Sequence, residues 1–322
     1  RGAHRRHPGL ALFHAVDPSG GTHRCPAEHT PGRADAERQQ AALGHDPAQR
    51  VWRLQREHAT AGVVLAHVQL HALAARVAQL LHGGQRHLAQ AELLGGEPGG
   101  NIRVGFFFRT DRGLKFVDRA GGTATRAVNV LRNSAGKPEL NYSPGRIDPG
   151  NPAFRDSRKP LVGEFSYNGK TLFVVGNHFV SKGGDQALYG RYQPPTLSSE
   201  RARTQQALAV KQFVQEILAI DNNANVIVLG DLNDFEFSPA MRMLMGKDDK
   251  TQVLYSLVET LPPEERYTYV YEGNSEVLDH IMLSRNLAQT AAPQYDIVHV
   301  NAEYVDRVSD HDPSVVKLTL GR

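Results

Sequence analysis

The sequence predicts an α/β protein in which packed sheets carry helices on their outer side. Three observations point there: short apolar runs of β-prone residues divided by turn residues, an Asn-Gly pair between two of those runs, and one long amphipathic helix. Asn101 to Phe108 (Asn-Ile-Arg-Val-Gly-Phe-Phe-Phe) reads as a strand rich in β-formers. Strands over 161–167 and 170–180 are joined by Asn168-Gly169, the strongest short-range hairpin signal. A helix is expected from Ser199 to about Ile220. Ser198 or Ser199 can cap it, and Glu200 suits its first turn. Val210, Phe213, Val214, Ile217 and Leu218 fall on one apolar face, and Asp221-Asn222-Asn223 ends the helix. Further strands are expected at 226–229, 277–283, 296–300 and 314–319.

Composition divides the chain. At 322 residues it could hold one large or two ordinary domains. Residues 1–100 contain no Lys, Asn, Ile, Met or Tyr, yet hold 11 of the 15 His, a bias foreign to an evolved globular domain. The missing types have A/T-rich codons. The simplest reading of residues 1–95 is therefore a GC-rich stretch translated in the wrong frame or strand. The rival reading is an Arg/His-rich extension. Within it, an amphipathic helix over 59–83 is expected from the spacing of Val63, Val64, Leu65, Val68, Leu70, Leu73 and Val77. Residues 96–322 form the second unit.

Several function classes are narrowed by the same counts. A net charge of +3 and a pI near 9.0 fit a polyanion partner without requiring one. The single cysteine, Cys25, lies in the biased segment, so no disulfide is expected in the core and the redox compartment stays open. No apolar run reaches 18 residues, so no membrane association is expected. No signal peptide is visible from Arg1 onward.

Candidate chemistry sits at strand ends. Val226 to Leu229 runs into Gly230-Asp231-Leu232-Asn233, which places Asp231 and Asn233 two residues apart at the mouth of a strand. Carboxylate and amide oxygens suit a hard cation. Thr171 to Val175 runs into Gly176-Asn177-His178-Phe179, and Ser309-Asp310-His311-Asp312-Pro313 sets a carboxylate beside an imidazole. Asp310 is thus a candidate metal ligand and His311 a candidate general base. Asp279 lies in the apolar run Val277 to Leu283 and needs a partner there; a histidine is the natural one. His280 reads as a neighbour of the site, and Asp312 as a turn residue before Pro313. Arg109, Arg112, Lys115, Arg119 and Arg126 are either a solvated face or a contact to a nucleic-acid backbone.

Asn177-His178-Phe179, Gly230 to Asn233, Leu278-Asp279-His280-Ile281 and Ser309 to Pro313 stand in the order of four motifs of the endonuclease/exonuclease/phosphatase superfamily, which the chain resembles over about residues 96–322. Ser181-Lys182-Gly183-Gly184-Asp185, Gly190 to Pro195 and Tyr269 to Ser275 look like its secreted bacterial nucleases in particular. The resemblance implies a two-sheet β-sandwich flanked by helices, a four-layer α/β/β/α arrangement. It implies a phosphodiester hydrolase dependent on Mg²⁺ or Mn²⁺, with Ca²⁺ as an alternative. Its substrate would be DNA, or RNA as well, and it would act as a monomer outside the cytoplasm. By the same resemblance His311 is the general base held by Asp279, and His178 donates a hydrogen bond to the phosphate. Asp310 is a metal ligand, Asp231 and Asn233 serve the phosphate region or a second cation, and Arg158 and Asn177 contact substrate or brace the site. The family's first strand carries an Asn, and its second ends in a Glu that is the principal ligand. Neither motif stands in this sequence, so the domain is expected to lack its N-terminal strands, with no sheet pairing from residues 1–95. Loss of those two motifs is expected to leave this chain with weak hydrolysis or none; a non-catalytic remnant, and a phosphoesterase of lipids or small molecules, remain as alternatives.

Overall fold

The computed structural model describes residues 63–67, 88–92, 104–248, 251–307 and 309–321, the first two stretches as backbone. In chain order the strands begin with β1 (Val63–His67), β2 (Leu88–Glu92), β3 (Gly105–Arg109) and β4 (Leu114–Phe116). Then come β5 (Val130–Arg132), β6 (Pro138–Leu140), β7 (Gly145–Arg146), β8 (Leu161–Tyr167) and β9 (Lys170–His178). Helix α1 (Glu200–Ile220) leads to β10 (Asn225–Asp231), α2 (Pro239–Met245) and β11 (Leu254–Ser256). The chain finishes through β12 (Tyr269–Tyr271), β13 (Asn274–Glu276), β14 (Asp279–Ser284), α3 (Arg285–Thr290), β15 (Gln294–Ile297) and β16 (Ser314–Leu318).

The main sheet runs β11-β14-β10-β9-β8-β4, with β7 also on β8. Its centre follows from local chemistry. Asn168 and Gly169 take φ of 50° and 75°, the two positive values that a two-residue hairpin turn demands, and they fold β9 back on β8. β10 lies parallel to β9. That pairing needs a long crossover, which the 179–199 loop and α1 supply.

The sheet is buried on both faces, as unbroken apolar runs such as Val226 to Leu229 require. Val226 and Val228 join Phe173, Val175 and Met282 against Val210, Phe213, Val214 and Ile217 of α1. Ile227 and Leu229 turn the other way, to Phe106, Phe165, Ile281, Val316 and Leu318. Strands β1-β16-β15 and the pair β2-β3 make up that far side. Among the described residues no helix is long and apolar enough to cross a membrane.

Four expectations need correction. Strands do come from the first hundred residues: β1 pairs antiparallel with β16, and β2 with β3. Pairing asks only for a free edge of backbone N–H and C=O groups, which β16 and β3 present whatever the composition of the partner. The helix over 59–83 gives way to a strand at Val63–His67, where two β-branched residues stand together; residues 68–83 lie outside the described residues. Ser199 does not cap α1, because its hydroxyl oxygen accepts from Arg203 Nη1 while its O–H donates to Asp185 Oδ2. The strand expected at 296–300 stops at Ile297, since the N–H groups of Val300 and Asn301 donate to the Asp312 carboxylate rather than to a neighbouring strand.

Candidate active site

One row across three strands builds the site. Asp231 on β10 pairs with His178 on β9 and with Asp279 on β14. Residues in register share a face, so all three side chains leave the sheet on the side of Ile227, Leu229 and Ile281, toward the second sheet. The row lies at the last residue of β9 and β10 and the first of β14, so it opens at the rim of the sandwich.

Gly230 allows the row to form. Its φ is 137°, and a Cβ there would lie 2.0 Å from the Asn177 carbonyl oxygen, so no side chain fits between β9 and β10 at this level. Beyond it the chain is pinned. Leu232 N–H donates to Leu278 O, and Phe179 N–H donates to Asp231 O. Asn233 takes φ of 50°, donates its N–H to Asp231 Oδ1 at 2.8 Å, and donates from Nδ2 to Phe179 O at 3.0 Å.

His178 Nε2 lies 3.3 Å from Asp231 Oδ2. His311, on the approach to β16, lies with its Nδ1 2.6 Å from Asp279 Oδ2. Both members of that pair are buried. Burial alone pushes the imidazole down. The Asp279 carboxylate, its hydrogen bond, and the charges of Asp231 and Asp310 outweigh this and raise His311 to about 9. Asn301 Nδ2 donates to His311 O, and Asp312 Oδ1 accepts from the N–H groups of Val300, Asn301 and Ala302. The buried Asp312 carboxylate therefore holds the loop that holds the histidine.

Arg158 donates from Nη2 to Phe179 O, the same carbonyl that Asn233 reaches. Burial lowers the pKa of its guanidinium, and the nearby Asp231 opposes that. Asp310 is half-buried, and its Oδ1 is shut off from solvent without a hydrogen-bond partner among the described residues.

The structure thus gathers His178, Asp231, Asn233, Asp279, Asp310, His311 and Arg158. Asn177 is not among them. It projects from the opposite face of β9 to His178, is fully buried, and donates from Nδ2 to Val175 O and Leu229 O, a brace between β9 and β10. His280 also faces away, with Nε2 2.8 Å from Asp234 O. Arg109, one of the five basic residues of undecided role, forms an ion pair with Asp111, and Arg119 one with Glu164.

Sequence reasoning passed over a buried ionic chain behind the site. Asp234, next to Asn233, accepts from Lys182 Nζ at 2.8 Å and Arg203 Nε at 2.7 Å, and Arg203 Nη2 donates on to Asp185. This ties the 181–199 loop and α1 to the Asp231-Asn233 turn. Its traces in the sequence were the Ser181 to Asp185 string, which holds Lys182 and Asp185, and the polar i, i+4 pair Ser199 and Arg203 at the start of an otherwise amphipathic helix. β2, moreover, ends on Glu92, in register with Gly105, an acid at the end of an N-terminal strand where the sequence reading found none.

The donor set fits a hard divalent cation. Ligand atoms of Asp231, Asp279 and His311 lie within 4.8 Å of one another, and Asp310 has an oxygen that no described residue satisfies. The 2.6 Å contact commits Asp279 Oδ2 and His311 Nδ1 to each other. Asp231 is therefore the carboxylate of this group left to hold a cation, and Asp310, whose charge is felt at His311, is the second candidate.

Comparison with known proteins agrees with this architecture. A crystal structure of humanized D. rerio TDP2 aligns over 97% of this chain and 99% of its own, with TM-score 0.52 and 16% identity. An endonuclease/exonuclease/phosphatase from Bacteroides vulgatus aligns over 97% and 98%, with TM-score 0.51 and 16% identity. At such identities the likeness is one of fold. No curated protein sequence matches significantly. Residues 129–316, more than half the chain, match the Endonuclease/Exonuclease/phosphatase family, so the chain belongs to that family.

Proposed function

We propose that this protein is a divalent-metal-dependent phosphodiesterase that cuts nucleic acid, in the manner of the secreted bacterial nucleases that its 181–195 and 269–275 strings resemble. The His178–Asp231–Asp279–His311 cluster carries the reading, because it sets an oriented imidazole and an acid-rich cation site at one strand-end rim. Phosphodiester cleavage needs an activated water, neutralisation of the phosphoryl oxygens and a fixed line of attack. A cation held by Asp231 and Asp310, Mg²⁺ or Mn²⁺, would supply charge neutralisation at the phosphoryl oxygens and a more acidic water.

The chain's own residues do the rest. Asp279, holding Nδ1, fixes the ring so that His311 Nε2 is the atom that would take the proton of the attacking water, once a bound cation offsets the carboxylate charges that otherwise raise the imidazole. His178 Nε2 donates to a phosphoryl oxygen. The Arg158 fork faces the same phosphate as a second donor. Asn233, locked by its turn and by Phe179 O, positions the attacking group, and Asp231 and Asp310 supply the cation's carboxylates.

The test is cleavage of supercoiled plasmid and of a labelled oligonucleotide, with and without EDTA, by the wild type and His311→Ala. The expected result is cleavage lost to EDTA and reduced at least about 100-fold in the variant. Cleavage that survives both treatments would overturn the proposal.

A further inference from the structure

No side chain of the β12–β13 hairpin has a role in the hydrolytic steps above, yet the hairpin borders the dyad. Its turn, Glu272-Gly273, has φ of 49° and 81°. Tyr269 pairs with Glu276 and Tyr271 with Asn274, so alternation sets these four side chains on one face. Tyr269 shows which way that face looks. Its ring centroid is 4.7 Å from the His311 ring, and its backbone bridges to His311. Tyr271 continues the strip outward: its ring lies near-parallel to Tyr269, at 6.4 Å and 13°, and is 49% exposed. A second aromatic pair, Phe235 and Phe237, stacks at 5.4 Å, with Phe237 60% exposed. Lys182 Nζ lies 4.0 Å over Phe235, and its charge also reaches the Glu276 carboxyl.

Resting on the nuclease reading, we propose that this hairpin face is the subsite for an unpaired nucleobase next to the scissile phosphodiester, which makes single-stranded nucleic acid the preferred substrate. Exposed aromatic planes cost solubility and persist where something flat covers them. A base has a π face to lay on Tyr271 and polar edges to meet Asn274 and Glu276. A lipid chain or a sugar phosphate has no such face. A base inside a duplex has both faces covered by its neighbours, so only an unpaired one can use the strip.

The experiment compares three labelled oligomers of one length: a single strand, its duplex, and an abasic strand of equal charge. Binding is read by fluorescence anisotropy in EDTA, and cleavage in Mg²⁺. Stacking adds affinity base by base, so the single strand should bind roughly 10-fold tighter than the abasic strand. Tyr271→Ala should erase that gap by weakening the single strand alone, and Tyr271→Phe should keep it. Equal binding of single and abasic strands by the wild type, or an equal loss on both in Tyr271→Ala, overturns the subsite even where cleavage is normal. Failure to cleave any oligomer sinks the nuclease reading instead, and the anisotropy result still decides the subsite.

Discussion

At the scale of single residues, Gly230 and the Asp279–His311 pair set what the site can do. The carbonyl of Asn177 occupies the space of a Gly230 Cβ, 2.0 Å from where that atom would sit. Gly230→Ala should therefore destabilise the fold by about 1–3 kcal/mol for its φ and by a similar amount for overpacking, seen as a lower urea midpoint. An unchanged midpoint would show that β9 and β10 yield more easily than their register implies. Asp279→Asn keeps the shape of the pair while removing the charge that orients the ring. It should lower kcat about 10²–10⁴-fold, and His311→Ala should do no worse with Asp279→Asn added, because the two act as a unit. Independent, multiplying losses would argue that Asp279 serves something other than His311.

At the scale of elements, the 181–199 loop owes its position to the ionic chain Lys182–Asp234–Arg203–Asp185. Burial raises the pKa of Asp185, but the Ser199 hydroxyl and N–H and the Arg203 guanidinium together outweigh it, so the folded-state value lies below the unfolded one. A depressed carboxyl stabilises the fold above its unfolded pKa, about 3.9, and loses that contribution as pH falls through the lower, folded value. Asp185→Asn should thus cost about 1–3 kcal/mol at pH 7, with the gap from wild type shrinking only below about pH 4. Urea midpoints across that range measure it. A gap that widens in acid would contradict the assigned direction.

At the scale of the molecule, the cation site and the fold are linked. Asp231, Asp279 and Asp310 crowd negative charge at the rim between two sheets, so a bound cation stabilises the folded state relative to the unfolded chain. At about a hundredfold above its dissociation constant, Mg²⁺ should add about 2.7 kcal/mol, roughly 4 °C in Tm for a chain of this size. Asp310→Asn should lose most of that increment while melting near the wild-type temperature in EDTA. An undiminished Mg²⁺ effect in this variant would remove Asp310 from the ligand set.

The sequence by itself determined the elements whose chemistry is local. The Asn168-Gly169 turn, the apolar face of α1, the buried run before Gly230 and the four strand-end motifs all stood where the structure has them, because turn geometry and periodicity are short-range properties. Tertiary structure decided the rest. Leu88–Glu92 is composed of strong helix formers and became a strand only by pairing with β3. The Ser199 hydroxyl is taken up by the Asp185 carboxylate and the Arg203 side chain rather than by the backbone N–H groups of its helix. Asn177 and His178 are adjacent in sequence, yet one braces the sheet and the other faces the cleft, because β alternation sends neighbours to opposite faces. The row joining His178, Asp231 and Asp279 exists only through the registers of three strands whose members lie up to a hundred residues apart. A sequence names such residues, but only packing can place them in contact.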